Sequence, residues 1–202
     1  MPKARIICPK AGVRRRRGEC YAKKESGGIV MNQVLENIKS RRSIRSFLPK
    51  PISREDLETI VQAGQYAPTG MNRQEFQFTV LTSQAKLAEL AKAIREEIGA
   101  EESYNFYGPS ALILLSCDPE NHNGMLDCAC ALQNIFLAAH SMGIGSVWIN
   151  QLRDICDKPA VRRVLDGLGV PGDHVVWGMA ALGYAAETPA AAPRKSRVVF
   201  AD

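Results

Sequence analysis

The residues best suited to bind a charged ligand lie in an Arg-Arg-Ser-Ile-Arg segment that begins at Arg41. Arg41, Ser43 and Arg45 alternate along the chain and could converge on one oxyanion. A phosphate is well bound by guanidinium groups, each of which can donate two parallel hydrogen bonds, together with a hydroxyl group. Ile44 and Phe47 are apolar and could anchor the segment. The same residues also fit a solvated basic turn after a helix, so this segment alone leaves both interpretations open.

A second segment, Ala-Pro-Thr-Gly-Met-Asn-Arg-Gln, occupies residues 67–74. Pro68 and Gly70 predict a tight turn that exposes backbone N–H groups. Asn72 and Gln74 carry side-chain amides that can both donate and accept hydrogen bonds. Such groups suit a flat heterocycle whose edge carries carbonyl oxygens and ring nitrogens. An ordinary loop between a helix and a strand is the alternative interpretation.

Two later segments could complete a ligand site. Residues 143–151, Gly-Ile-Gly-Ser-Val-Trp-Ile-Asn-Gln, place the end of a strand and its backbone N–H groups after a buried helix. Residues 194–197, Arg-Lys-Ser-Arg, form a second cationic cluster after a stretch rich in proline and alanine. A charged tail is the alternative interpretation of that cluster.

Several motifs that carry their own reactive groups are absent from the sequence. It contains no Gly-x-Gly-x-x-Gly opening a helix, no phosphate-binding lysine loop, no Gly-x-Ser-x-Gly and no His-Glu-x-x-His. His122, His140 and His174 are scattered, and we interpret His140 as a hydrogen-bonded core residue of a buried helix rather than a base. Because the sequence offers no convincing triad, metal site or carboxylate pair, a bound cofactor is the better source of reactivity.

The elements that would position these groups alternate between helices and strands. Apolar residues at helical spacing predict helices, runs of β-forming residues predict strands, and Ser53 and Ser83 are predicted helix N-caps. The predicted helices cover about 34–41, 54–67, 84–98, 125–142 and 159–165; the predicted strands cover 76–82, 111–117, 146–149, 175–183 and, as one further candidate, 198–200. The continuous apolar run of the second strand predicts a central position with both faces covered. This order indicates an α/β or α+β fold layered on one sheet.

Residues 101–108 are polar and aromatic, and they predict a mobile loop. Tyr104, Phe106 and Tyr107 could cover a bound ring and select substrates. Equally, these aromatic side chains could anchor the loop in the core.

The charge of the chain is distributed unevenly. The formal net charge is +5, but residues 1–30 hold nine of the 26 Lys and Arg and two of the 21 Asp and Glu, so the remaining 172 residues carry −2. The body therefore has no basic face that would indicate a nucleic-acid partner. We interpret residues 1–30 as a basic N-terminal extension and residues 31–202 as the folded domain. The alternative is that the arginine run at 14–17 forms an arm for nucleic acid or anionic lipid.

Composition and cysteine content indicate the class of protein and the cellular compartment. With 46% hydrophobic and 23% charged residues, the chain has the composition of an ordinary globular protein. No apolar run reaches the ~18 residues of a membrane span. No secretory signal precedes the six cysteines, so we expect reduced thiols, no metal site, no membrane partner and a cytoplasmic location.

Taken in order, these segments resemble the nitroreductase superfamily of FMN-dependent oxidoreductases. The resemblance rests on Arg-Arg-Ser-Ile-Arg-x-Phe at 41–47 and Ala-Pro-Thr-Gly-Met-Asn-x-Gln at 67–74. It continues with Leu-Gln-Asn at 132–134, the glycine turn and strand at 143–149, and Ala-Leu-Gly-Tyr at 181–184. It covers about residues 31–197.

The resemblance implies an α+β fold, layered α/β/α, in which helices flank a mixed central sheet. It also implies an obligate homodimer with two FMN molecules in the interface and NAD(P)H as co-substrate. The resemblance also implies the cofactor-binding residues. The phosphate and ribityl chain would be held by Arg41, Arg42, Ser43 and Arg45, and the phosphate clamp would be completed by Lys195, with Arg194 or Arg197. The ring and ribityl chain in the other protomer's site would be contacted by Pro68, Thr69, Gly70, Asn72 and Gln74, and the reactive edge of the ring would face the backbone near Asn150 and Gln151.

The implied activity is the transfer of a hydride from NAD(P)H to FMN, followed by reduction of an electron-poor small molecule, such as a nitroaromatic compound or a quinone, in a ping-pong cycle. Such chemistry requires no catalytic side chain, and we assign none. A flavin-holding or regulatory module without significant turnover is one alternative. A nucleic-acid or membrane-surface protein that acts through the arginine run is another.

Overall fold

The computed structural model describes residues 32–201, so the predicted basic extension at 1–30 lies outside the described residues. The helices of the described part are α1 (Gln33–Ser40), α2 (Arg54–Gln65), α3 (Gln84–Ile98), α4 (Gly124–Ser141) and α5 (Pro159–Gly167). Its strands are β1 (Phe76–Leu81), β2 (Ala111–Cys117), β3 (Gly145–Ile149) and β4 (Val175–Gly183). Short 3-10 turns follow α2 at Gly70–Asn72 and β3 at Gln151–Asp154. The five predicted helices and the first four predicted strands are confirmed, with ends that differ by at most a few residues.

The four strands form one sheet in the order β1-β2-β4-β3. The three neighbouring pairs are antiparallel, and a parallel contact occurs at the isolated bridge between Ser43 and Ser146. Every residue of β2 is buried, which confirms its predicted central position.

Side chains that alternate between the two faces of the sheet produce two hydrophobic cores. On one face, Leu112 packs in a core with Ile94 of α3 and Leu165 of α5. On the other face, Ile113 packs in a core that contains Ile135 of α4 together with residues of α2. Helices therefore cover both faces, and the predicted α+β fold with α/β/α layers is confirmed.

Both predicted serine caps are present. The Ser53 Oγ accepts a hydrogen bond from the backbone N–H of Asp56 at 3.0 Å, and the Ser83 Oγ accepts one from the N–H of Lys86 at 3.5 Å. These bonds satisfy N–H groups that have no partner inside the first helical turn, and so they determine where α2 and α3 begin.

The loop between α3 and β2 is anchored by one of its aromatic residues. Phe106 is 1% exposed and belongs to the core, and the ring of Tyr104 meets it edge to face at 5.3 Å between centroids. Tyr107 is exposed. The core-anchoring interpretation therefore holds for Phe106, while Tyr107 is left at the surface.

The strand suggested at 198–200 is absent. These residues have no regular secondary structure, and Phe200 is 86% exposed. Side chains with high β-propensity form a strand only where a neighbouring strand offers hydrogen bonds, and propensity alone is a weak signal.

Three of the described cysteines, Cys117, Cys128 and Cys156, are buried free thiols, and Cys130 is an exposed one. Within residues 32–201, no cluster of three His, Cys, Asp or Glu side chains could hold a metal ion. In the same part of the chain, no helix has the length and apolar character required to cross a bilayer.

Candidate cofactor site

The segment that follows α1 is attached to the sheet by backbone hydrogen bonds. The N–H of Ile44 donates to the carbonyl of Ser146 at 2.9 Å, and the N–H of Leu48 donates to the carbonyl of Tyr184 at 2.8 Å. Ile44 is buried, as predicted. A Cβ on Gly145 would lie 2.8 Å from the Cγ1 of Ile44, so the glycine permits this close approach. The arginine-rich segment is thus held against the start of β3.

A cavity of about 200 Å³ lies beside this segment, and its lining includes Arg41, Arg42 and the turn at 143–146. Burial lowers the pKa of Arg41, and the charges of Arg194 and Arg42 lower it further. Arg194 therefore lies close to Arg41, although the two residues come from opposite ends of the described chain. A partly desolvated guanidinium group that other cations repel, as Arg41 is, gains from an anion placed beside it.

The guanidinium group of Arg42 closes the end of α1. Its Nη1 donates to the carbonyl of Lys39 at 2.7 Å and to that of Arg41 at 2.9 Å. A cation in this position satisfies carbonyl groups that have no partner within the helix and interacts favourably with the helix dipole. Ser43, half-buried, forms the bridge to Ser146 at the edge of β3.

The remaining predicted cations are exposed. The guanidinium carbon of Arg45 lies 6.0 Å from the centroid of the Tyr107 ring, so Arg45 faces the loop after α3. Lys195 and Arg197 are exposed in the tail that carries Arg194. The structure thus places Arg41 and Arg42 at one cavity, with the charge of Arg194 acting on Arg41, and places Arg45 beside the aromatic loop.

Ser40 and His140 line the same cavity, but sequence reasoning did not select them. The Nε2 of His140 lies 2.8 Å from the Oγ of Ser40. Burial lowers the pKa of His140, and the positive charges of Arg41 and Arg42 lower it further. His140 is half-buried in the cavity wall, whereas the sequence suggested a core position. Its place in the last turn of a helix that leads into the glycine turn is the signal that could have identified it.

The predicted amide turn after α2 has an unusual backbone. Its φ angles are 53° at Met71, 55° at Asn72 and 55° at Gln74, a region that costs a non-glycine residue on the order of 1 kcal/mol. The Nε2 of Gln74 donates to the Oδ1 of Asn72 at 2.8 Å, and the backbone N–H of Gln74 donates to the Oγ1 of Thr69 at 3.2 Å. The side chains of Pro68, Asn72 and Gln74 are exposed. The turn therefore presents its amide groups to the outside of the protomer.

A second cavity, of about 370 Å³, lies at the far end of β3. Ile149, Gln151 and the loop at 100–107 line it. The Oε1 of Gln151 and the Oη of Tyr104 are buried without a hydrogen-bond partner among the described residues. Burial, and to a smaller degree Tyr107, raises the pKa of Tyr104 far above its ordinary value, so this phenol remains a hydrogen-bond donor. Asn150, between β3 and the following turn, is exposed.

The arginine-lined cavity and the amide turn lie at opposite ends of α4. His140, in the last turn of α4, lies at the arginine-lined cavity. Asp127, in its first turn, accepts a hydrogen bond from the backbone N–H of Gly70 at 3.0 Å. His140 follows Asp127 by thirteen positions, which corresponds to about 20 Å at a rise of 1.5 Å per residue. One protomer therefore offers the arginine-lined cavity and the amide turn at two distant places.

Comparison with known proteins identifies the family. A model described as "Nitroreductase family" matches residues 38–112 and 101–184. The chain belongs to the nitroreductase family. A crystal structure of a nitroreductase with bound FMN from Bacteroides fragilis is similar to this nitroreductase-family chain with a TM-score of 0.80 and 40% sequence identity, covering 85% of this chain and 100% of that one.

Two relatives of known sequence carry names that refer to function. A protein of Archaeoglobus fulgidus with the provisional name NADH dehydrogenase/NAD(P)H nitroreductase is 33% identical over 159 residues, 76% of this chain and 86% of the relative. A Bacillus subtilis protein named FMN reductase (NADPH) is 29% identical, over 81% of this chain and 70% of the relative.

Proposed function

We propose that this nitroreductase-family chain is an FMN-dependent NAD(P)H oxidoreductase that takes a hydride from NAD(P)H and reduces an electron-poor small molecule, such as a nitroaromatic compound or a quinone, in a ping-pong cycle. The observation that carries the proposal is a cavity of about 200 Å³ lined by Arg41 and Arg42, where the charge of Arg194 also acts on Arg41. The FMN bound by the Bacteroides fragilis protein and the NADPH in the name of the Bacillus subtilis relative support the choice of cofactor and reductant.

The residues of the first cavity fit a phosphate monoester. The guanidinium group of Arg41 supplies charged donors in the cavity, Arg194 would add its charge from the exposed tail, and the buried Oγ of Ser146 has no hydrogen-bond partner among the described residues. A phosphate dianion would accept hydrogen bonds from these groups and would relieve the repulsion between the arginines. Lys195 and Arg197 follow Arg194 and would close the clamp from the solvent side.

The ring end of the cofactor would be held near the end of β3. Arg45 and the backbone at Asn150 and Gln151 would orient it there, and the cavity beside Gln151 leaves space for a substrate. FMN, when bound, supplies a site that accepts a hydride and passes electrons to the second substrate. In the proposed ping-pong cycle NAD(P)⁺ would leave before the oxidant enters, and the cavity beside Gln151 would admit the two substrates in turn. The residues of the chain would bind and orient the cofactor and the substrates and would exclude water from them. No side chain is assigned as an acid or a base.

A homodimer would bring the two halves of the site together. The ribityl chain and the phosphate of FMN are joined directly, so the groups that hold them must lie side by side. Within one protomer, the amide turn and the arginine-lined cavity are separated by about the 20 Å length of α4 between Asp127 and His140. The turn of the partner subunit, with its Pro68, Thr69, Gly70, Asn72 and Gln74, would therefore complete the site.

Exposed apolar side chains on the protomer support this assembly. Leu35 and Ile38 on α1 are 50% and 44% exposed, and Trp148 on the edge strand β3 is 58% exposed. Large exposed apolar residues close to a proposed site are typical of surfaces that become buried on association. A second copy of the chain would remove them from water.

The visible spectrum of the purified protein tests the proposed activity. After saturation with FMN and removal of oxygen, NADPH should bleach the flavin absorbance within seconds, and a nitroaromatic compound or a quinone should restore it. Initial rates should give parallel double-reciprocal plots, and intersecting plots would contradict the ping-pong order. A yellow protein that NADPH and NADH do not bleach would indicate a flavin-holding module. A protein that stays colourless after incubation with FMN would contradict the cofactor assignment.

A further inference from the structure

Asp127 is a buried carboxylate that the proposed reaction does not use. It is 6% exposed in the first turn of α4. Its Oδ1 accepts a hydrogen bond from the backbone N–H of Gly70 at 3.0 Å, whereas its buried Oδ2 has no hydrogen-bond partner among the described residues. A buried carboxylate with a single hydrogen bond is a poor way to stabilise a fold. Its contact with Gly70 therefore suggests a different role.

The contact is close on the glycine side as well. A Cβ on Gly70 would overlap the side-chain amide of Asn123, the residue that precedes α4. Glycine at this position therefore allows the turn to lie directly against the start of the helix. The N–H of Gly70 and the carboxylate of Asp127 meet only because of this close approach.

The amide turn depends on support from outside itself. Most of its hydrogen bonds are internal: the N–H of Asn72 donates to Thr69, and the N–H of Arg73 donates to Gly70. Met71, Asn72 and Gln74 all have left-handed φ angles that their side chains disfavour. Among the hydrogen bonds of residues 32–201, the bond from Gly70 to Asp127 is the one that connects residues 69–74 to another element.

We propose that Asp127 is a positioning residue that holds the amide turn in the conformation in which Asn72 and Gln74 contact the flavin of the partner subunit. This proposal rests on the proposed function. Asp127 itself touches no substrate or cofactor and acts through the backbone of Gly70. Because one face of α4 is buried in the core, a carboxylate in its first turn can fix the amide turn relative to the core.

Substitutions of Asp127 test this role in the full-length protein. Asp127→Ala should weaken FMN binding about tenfold or more, since a hydrogen bond to a charged group is lost and the turn can relax. Asp127→Asn keeps an oxygen that can accept the same bond, and it should retain FMN affinity within about threefold of the wild type. Glu120→Ala, which removes an exposed carboxylate before the same helix, is the matched control and should leave FMN affinity unchanged.

The spectrum of bound flavin separates positioning from a loss of stability. At saturating FMN, the visible band of the Asp127→Ala protein should differ in shape from that of the wild type, because the amide groups no longer meet the ring in the same way. The Asp127→Asn protein should give the wild-type band. Wild-type affinity and a wild-type band in the Asp127→Ala protein would overturn the proposal.

Hydrogen exchange on the wild-type protein gives an answer even where Asp127→Ala does not fold. The amide of Gly70 should exchange far more slowly than the exposed backbone of Met71, because it donates to a buried acceptor. Equal, fast exchange at both positions would overturn the proposal. The two proposals fail differently, since a wild-type protein that binds no FMN contradicts the function, whereas normal FMN binding by Asp127→Ala contradicts only the role of Asp127.

Discussion

Arg194 lies near Arg41, and its charge contributes to the lowered pKa of the Arg41 guanidinium group. Arg41 directly follows α1, whereas Arg194 lies in the tail after β4. The fold therefore brings the charge of an exposed tail residue to bear on the half-buried Arg41, from the other end of the described chain. Like charges repel one another until an anion is bound, which makes the cavity beside them suited to a phosphate.

Removing these two charges should release the cofactor. We expect the Arg41→Ala, Arg194→Ala double variant to lose FMN on dialysis, with affinity reduced about tenfold or more, because charge-assisted hydrogen bonds to the phosphate are lost. Adding Lys195→Ala should weaken retention further. Without FMN the double variant should melt no earlier than the wild type, since repulsion is also removed. Arg54→Ala, which breaks an exposed ion pair with Glu58, is the control, and equal retention of flavin by all variants would refute the phosphate assignment.

The close approach of the arginine segment to β3 should depend on Gly145. Gly145→Ala places a Cβ 2.8 Å from the Cγ1 of Ile44 and 3.1 Å from the carbonyl oxygen of Gly183. We expect it to lower the free energy of unfolding by about 1–3 kcal/mol and to weaken FMN binding as the segment is displaced.

Gly167→Ala at the end of α5, where a Cβ would meet nothing within 4 Å, should be neutral or stabilising by up to about 1 kcal/mol. Denaturant titrations of both variants measure the difference, and equal stability of the two would contradict the proposed packing.

The layered fold could be predicted from local patterns. The uniformly apolar run of β2 predicts a strand covered on both faces, and Ser53 and Ser83 predict where two helices begin; both patterns report directly on burial and on unpaired N–H groups. The same reasoning predicted a strand at residues 198–200 that is absent, because a strand also needs a neighbouring strand to form hydrogen bonds with. The sequence did not decide whether Phe106 is buried, since the polar composition of the loop does not indicate which aromatic ring enters the core.

The candidate site was less accessible to sequence reasoning because its contacts are long-range. The resemblance to a family selected Arg41 and Arg194, but their proximity depends on how the tail after β4 lies on the segment after α1. No local pattern distinguishes Asp127 from other acidic residues, since its partner Gly70 lies on a different element. The sequence pattern predicted His140 to be a core residue, because the pattern does not show that the last turn of α4 extends beyond the core.

The protonation of His140 should make the FMN-free protein less stable in mild acid. Burial and the charges of Arg41 and Arg42 lower its pKa in the folded state, so the unfolded chain binds this proton more readily. The free energy of unfolding should therefore fall as pH drops through the ordinary histidine value of about 6.5 and continue to fall until the lowered folded-state pKa is passed. Unfolding titrations between about pH 8 and about pH 5 should show a smaller loss for His140→Gln than for the wild type. His122→Gln, at an exposed position, is the control, and parallel curves for His140→Gln and the wild type would count against the arrangement around His140.

Mixing two inactive variants tests most directly whether one flavin is held by groups from two protomers. The Arg41→Ala, Arg194→Ala variant lacks the phosphate clamp, and an Asn72→Ala, Gln74→Ala variant lacks the amide groups of the turn. Each should form a dimer with little FMN-dependent NAD(P)H oxidation. Co-expressed with different affinity tags, they should give a heterodimer in which one of the two symmetry-related sites is intact, with about half of the wild-type activity and flavin content. A monomer in solution, or a heterodimer as inactive as its parents, would contradict the shared site.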